Sequence, residues 1–459
     1  MPAFKRFPIR TLTASIKACA VLAAVCGAMP AEAQSPGQQQ APAARQSALP
    51  APSKALLTEL EGIYKDIHAN PELPMQERRT AGIAAKWLRK QGYEVSEGIG
   101  GTGVVGVLRN GTGPTVLLRA DMDALPMQEN TGLPYASKKT VTDQDGQQTP
   151  VAHSCGHDMH VTWLMGVTRM LAENKDRWSG TVLAVFQPAE ETGEGAQAMV
   201  DAGMVKRFPK PDIVLGQHVL PLPAGKVGAR VGVMLSMSDN MEVRLFGRGG
   251  HGSAPETTID PVVMAAATVM RLQTVISREI AMADNAAVTV GALLAGSSGN
   301  IIPDDALLRL NIRTYDDQVR ETVLAAVRRI VNAEAEASGA QKPPAFTMQG
   351  HFPLTVNDEQ ATLKIIDAFK GHFGADRLQE ISPASASEDF TVFARAWGVP
   401  SVYWAVGGVD PQTYAQAQAA GRLTDIPSNH SPQFAPVITP TLQVGIEAML
   451  AAAGVWLAR

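Results

Sequence analysis

Nine histidines occur in the 459-residue chain, and three of them crowd into one octet, His153-Ser154-Cys155-Gly156-His157-Asp158-Met159-His160. A glycine separates Cys155 from His157, so the backbone can bend there and aim a thiolate and an imidazole at one point. A buried cysteine beside solvent-facing histidines is the plainer alternative, but it does not explain the crowding. The octet reads as a metal-binding segment. Thiolate, imidazole and carboxylate donors together suit zinc, manganese, cobalt or nickel.

Carboxylates and a further imidazole stand at three other places, each just past a β-rich run. Thr115–Arg119 leads into Asp121 and Asp123, Thr181–Phe186 into Glu190-Glu191, and Ile213–Gly216 into His218. Ligands of open α/β sheets bind beyond the carboxyl ends of strands, so three such ends point to one common site. Neighbouring glutamates cannot easily face the same way. One of the pair can therefore bind metal while the other takes a proton from water. As an alternative, the pair is a surface turn before a helix, where acids are favoured. Gly101-Thr-Gly103-Val-Val-Gly106 matches a dinucleotide fingerprint only in letters, because it runs into a strand and not a helix.

The elements that must position these groups alternate. Helical spacing over Glu77–Gln91 ends at Gly92, and further helices fit Val161–Glu173 and Glu194–Ala202, among the short strands already named and two more, Val104–Leu108 and Ser401–Val406. This predicts an α/β catalytic domain whose central, largely parallel mixed sheet is flanked by helices. Residues 239–350 read differently, as a β-α-β-β-α unit with helices opening at Asp260-Pro261 and at Asp316 or Asp317. The expectation is a smaller α+β domain inserted between catalytic segments 54–238 and 351–459.

Ahead of these lie Lys5, Arg6, Arg10 and Lys17, an apolar run Ala18–Ala28 and Ala31-Glu32-Ala33. That is the pattern of a signal peptide over 1–33, too short to span a bilayer, followed by a disordered tether over 34–53. The expectation is an exported protein, periplasmic or secreted, with no stable membrane insertion after cleavage. Losing four bases and one acid moves the formal charge from −4 to about −7, which gives no support for nucleic-acid binding. Only Cys155 survives cleavage, so no intrachain disulfide can form.

Six motifs together resemble the aminoacylase, hippurate-hydrolase and auxin-conjugate amidohydrolase group of di-metal peptidases. They are His68-Ala-Asn-Pro71-Glu72-Leu, Arg119-Ala-Asp121-Met-Asp123-Ala-Leu-Pro, His153-Ser-Cys155-Gly-His157-Asp, Gln187-Pro-Ala-Glu190-Glu191, Gly216-Gln-His218 and His430-Ser-Pro432-Gln-Phe434. The resemblance implies two divalent ions per subunit, zinc or manganese with cobalt or nickel possible, held by Cys155, His157, Glu191, His218 and His430. Cys155 would bridge them, and Glu190 would be the general base and later the acid. It also makes the insert a lid and the interface of a homodimer. There His251, in Gly249-Gly250-His251, would lie over the scissile carbonyl, helped by Asn300 in Gly299-Asn300-Ile-Ile-Pro303. Arg313 is a candidate for gripping a substrate carboxylate, with an exposed strand residue as the alternative.

The implied substrate is a small molecule containing an amide, an N-acyl amino acid or a related conjugate. A carboxypeptidase acting on dipeptides or short peptides is the second reading, and a catalytically dead periplasmic binding protein the third. Glu190 argues against the third, since a binding protein has no use for a spare carboxylate beside Glu191. Two features depart from the family. A polar stretch, Thr140–Gln148, is longer than usual, and Glu256 stands where many relatives have histidine.

Overall fold

The computed structural model describes residues 49–142 and 146–458. The expected signal segment and residues 34–48 of the expected tether lie outside them. Along the chain, α1 (Lys54–Ala69), α2 (Arg78–Lys90), β1 (Glu94–Ile99), β2 (Gly103–Asn110), β3 (Thr115–Asp121), α3 (His157–Glu173), β4 (Gly180–Gln187) and β5 (Ile213–Pro223) come first. Next are β6 (Met237–Phe246), α4 (Pro261–Arg278), β7 (Ala286–Ala295), β8 (Asp305–Thr314), α5 (Asp317–Ala337) and β9 (Ala345–Phe352). Finally α6 (Glu359–Phe373), β10 (Ser401–Val409) and α7 (Ile438–Leu457) return to the first group.

The large sheet runs β1-β2-β4-β3-β5-β10, with two short strands, Val227–Gly228 and Leu378–Gln379, beyond β10. Strands β4, β3, β5 and β10 are mutually parallel, whereas β2 pairs antiparallel with β4 and β1 antiparallel with β2. This is the expected mixed sheet with a parallel core. Parallel strands are covered on both faces and read as apolar runs, which is why β3 and β4 are buried nearly throughout. One face packs on α1, α2, α3, α6 and α7, and the other on residues such as Met199, Phe390, Phe393 and Trp397. Helices α3 and α7 touch at Gly445, where a Cβ would come within 2.1 Å of the Trp163 ring.

A second, antiparallel sheet has the order β7-β8-β6-β9, with α4 and α5 on one face. Asp260 and Asp316 cap those helices by accepting hydrogen bonds from their first amides, as the sequence predicts. Its strands run from Met237 to Phe352, slightly beyond the expected 239–350. Strand β9 was not foreseen. It follows Pro343-Pro344 and is mostly exposed, so it carries little of the alternation by which a strand is recognised. At the polar stretch, Thr140–Thr142 pairs antiparallel with Gln148–Pro150.

Candidate metal centre

The parallel strands bring their carboxyl ends to one edge, and the groups singled out in the sequence gather there. Helix α3 begins at His157, four residues earlier than its apolar periodicity suggests, because Gly156 at φ 90° turns the chain directly into it. A Cβ on Gly156 would meet Val219 Cγ1 at 2.4 Å. Only glycine lets the octet pass so close to β5.

Donor atoms of Cys155, His157 and His218 lie within 4.8 Å of one another, and so do those of Cys155, Glu191 and His430. Cys155 belongs to both groups. His157, Glu190 and Glu191 form a third. The hydrogen bonds set the tautomers. His218 Nδ1 donates to the Val219 carbonyl at 2.7 Å, leaving Nε2 as an acceptor that faces Cys155 Sγ at 3.4 Å. His157 Nδ1 faces Asp123 Oδ1 at 3.2 Å, and Asp123 Oδ2 accepts from the Glu191 amide at 2.9 Å. His157 Nε2 and Glu191 Oε1 are buried without any hydrogen-bond partner among the described residues. Buried polar atoms are rarely left so, and these two face one another at 3.8 Å. A soft thiolate, bare imidazole nitrogens and carboxylates around unfilled donors fit divalent transition ions. His160 does not join them, since Asp121 and the Val219 amide occupy both of its ring nitrogens.

His430 arrives from the far end of the fold, with Nε2 3.2 Å from Glu191 Oε2. Its backbone is left-handed at φ 68°, and its amide is held by the Ser154 carbonyl. Asn429 beside it donates to the Cys155 and Val219 carbonyls. Strain of this kind in a non-glycine residue persists only where its surroundings enforce it.

The charges differ sharply between neighbours. Burial, then the nearby Glu388 and Glu191 carboxylates, push Glu190 well above the usual carboxylate range. Burial also raises Glu191, but the His430 hydrogen bond and the His157 charge outweigh it and hold the group low. Burial, reinforced by Glu191, pushes the Cys155 thiol up.

Residues 117–426 match the family model described as peptidase family M20/M25/M40. The chain belongs to this family. It is 38% identical over 338 residues to a hippurate hydrolase of Campylobacter jejuni, covering 73% of this chain and 85% of the relative. It is 36% identical over 350 residues to thermostable carboxypeptidase 2 of Saccharolobus solfataricus, covering 75% and 84%. Among solved structures it resembles the Bacillus subtilis YXEP protein, described as a dinuclear metal binding peptidase of family M20. That likeness has a TM-score of 0.68 at 27% identity, over 88% of this chain and 99% of the other.

In this M20 protein the donor set opens into a cavity of about 600 Å³, lined also by Leu220, Met234, Phe352 and Arg313. Arg313 donates to Asn311, to the Ser385 carbonyl and to Ser387 Oγ, yet has no ion-pair partner among the described residues. His251 and Asn300 are not brought to the cavity. Both are exposed, next to the small ladder that pairs His251 with Ile301, and each is hydrogen-bonded locally, to Ser253 and Ser298. Glu256 lies nearby on an exposed turn.

Sequence reasoning missed the buried charge network beside Glu190. Buried Arg119 donates to Asp121, Gln187, Glu388 and Asp389, and Tyr403 OH donates to Glu388 at 2.6 Å. Oxygens of Glu388, Asp389 and Glu190 lie within 4.8 Å of one another. The available signal was Ser387-Glu388-Asp389-Phe390, an acidic pair abutting an aromatic residue and a helix.

Proposed function

We propose that this protein hydrolyses the amide bond of N-acyl amino acids or related small conjugates, using two divalent ions and Glu190. Family membership makes the chain a metal-dependent amide hydrolase. The observation that carries the finer reading is Glu190 itself. Its carboxylate lines the cavity beside the donor set and accepts no hydrogen bond among the described residues, while Glu191 is turned to His430.

Cys155, His157, Glu191, His218 and His430 would hold the ions, with Cys155 common to both. Bound there, divalent cations supply the Lewis acidity that makes water nucleophilic near neutral pH. Glu190 takes the proton from the attacking water and returns it to the leaving nitrogen. A carboxyl raised by burial and by its acidic neighbours is suited to hold that proton in between. Arg313, which has no ion-pair partner among the described residues, would receive a substrate carboxylate. Leu220, Met234 and Phe352 offer an apolar seat for the acyl group.

We assign the donor to the developing oxyanion to the partner subunit's His251, assisted by the partner's Asn300. Strand β7 is an edge strand carrying exposed Leu293 and Leu294, which suits an interface between two copies. The basic and apolar residues ahead of Ala33 support export to the periplasm or medium.

Hydrolysis of a panel of N-acyl amino acids and dipeptides, after reconstitution with manganese, zinc, cobalt or nickel, tests the reading. Turnover of N-acyl amino acids is expected. Activity confined to substrates with a free amino terminus would favour the carboxypeptidase reading, which the Saccharolobus relative supports. No turnover of either class with any metal would overturn both.

A further inference from the structure

Glu77 sits at the N-cap of α2, where an acid ordinarily accepts hydrogen bonds from the first amides of its own helix. It does not do so. Glu72 performs that task, taking the Arg79 and Thr80 amides at 2.8 Å each. Glu77 is fully buried and points elsewhere. Its Oε1 accepts from the amides of Met75 at 2.9 Å and Ala189 at 2.8 Å, and its Oε2 from the Thr102 hydroxyl.

Those two amides share a property. Met75 and Ala189 have φ of 63° and 48°, and with His430 they are the only non-glycine residues in the left-handed region among those described. Side chains of L-residues avoid that region. One carboxylate oxygen therefore holds two of the three strained positions. Ala189 is the residue immediately before Glu190. The turn is closed on its other side by Gly195, whose amide donates to the Ala189 carbonyl at 3.1 Å, and whose missing Cβ would lie 1.6 Å from the Pro188 oxygen. Asp123 fixes the Glu191 amide, so Glu190 stands between two pinned amides.

We infer that Glu77 is a positioning residue, which acts through the Ala189 amide to keep that turn left-handed and so sets where the Glu190 carboxylate points. The inference rests on the reading of Glu190 as the base. Maintaining Glu77 there is costly, because burial and then the Asp123 charge push it up to about 7. Glu77 does not line the cavity, and none of its described hydrogen bonds goes to a proposed metal donor.

The test compares kcat, KM, bound metal and melting temperature for Glu77→Ala, Glu77→Gln and Glu77→Ala combined with Ala189→Gly. Glu77→Ala should lower kcat by about 10²-fold, the cost of a small misplacement of a reacting group, with KM and metal content kept. Glu77→Gln retains an acceptor oxygen and should retain most of the rate. Adding Ala189→Gly removes the penalty on the left-handed turn and should recover roughly tenfold over Glu77→Ala alone.

Three results would overturn the inference: a normal kcat in Glu77→Ala, equal losses in Glu77→Gln and Glu77→Ala, or no recovery in the double variant. Should Glu77→Ala not fold, Glu77→Asp keeps the charge but shortens the reach, and a normal kcat there is equally fatal. Glu190→Gln separates the two levels. An active Glu190→Gln removes the reading beneath the inference, whereas an inactive one beside unaffected Glu77 variants removes only the role of Glu77.

Discussion

His218 and Cys155 meet with 3.4 Å between Nε2 and Sγ, while the far side of the imidazole, Nδ1, is committed to the Val219 carbonyl. The proton therefore sits on Nδ1, and the ring presents a lone pair to the sulfur. Without a metal the thiol, which burial keeps protonated, donates to that lone pair. On the proposed donor set a divalent ion would take the place of that thiol proton, and the first prediction follows from the exchange.

Cys155 should resist thiol reagents in metal-loaded protein and react once a chelator has stripped it. Equal labelling in both states would mean that the sulfur is not a donor. Cys155→Ser should lower metal occupancy, because an alcohol stays protonated where a thiol ionises.

Adjacent Glu190 and Glu191 should fail in different ways. Glu190→Gln cannot take a proton, so bound metal should persist while turnover drops by about 10²–10⁴-fold. Glu191→Gln gives up an anionic donor and should lose metal together with activity. Metal analysis showing the opposite pattern would reverse the assignment.

Exposed His251 makes a stoichiometric prediction. Its loss should cut kcat by about 10²–10³-fold, the range for removing one oxyanion donor, at normal metal content. Mixing Glu190→Gln subunits with His251→Ala subunits should restore about a quarter of wild-type activity, because random exchange makes half the dimers mixed, each with one intact site. No recovery after demonstrated exchange would exclude action across the interface.

His68 ties the fold to pH. Burial disfavours its charge, but Asp158 at 2.6 Å and Glu129 at 3.1 Å outweigh this and lift the ring from 6.5 to about 10. Folding thus raises the pKa, so the pair's contribution is complete below about pH 6.5 and is lost as the pH rises through about 10. Denaturant unfolding should show wild type more stable than His68→Gln by about 3 kcal/mol at pH 6, with the gap shrinking towards pH 10. A gap independent of pH would show that His68 folds uncharged.

Much of this was legible because donors that act together often stand together. The His153–His160 octet, Glu190-Glu191 and His218 each announce themselves within a few residues, and apolar runs reveal the parallel strands that carry them. What could not be read was assembled across the chain. Arg119 gains meaning only when Glu388 and Asp389 fold back onto it, and nothing local distinguishes that acidic pair from a surface turn. His430 was reached through the family resemblance, since a lone histidine in Asn-His-Ser-Pro has no periodic or compositional signal. Strand β9 escaped because exposure on both faces erases alternation. The first turn of α3 escaped because the residues that start it are the polar residues of the site.

From Glu191 the polypeptide passes through the whole second sheet before His430 returns to it. That sheet is built from neighbouring segments, so it can form as soon as they exist, whereas the large sheet needs β10 beside β5, and α7 beneath, before its edge closes. On the proposed donor set, a chain halted before His430 lacks one of its members. On that reading hydrolytic capacity waits for the last segments of the chain, so unfinished chains present no competent catalyst to the amide bonds around them.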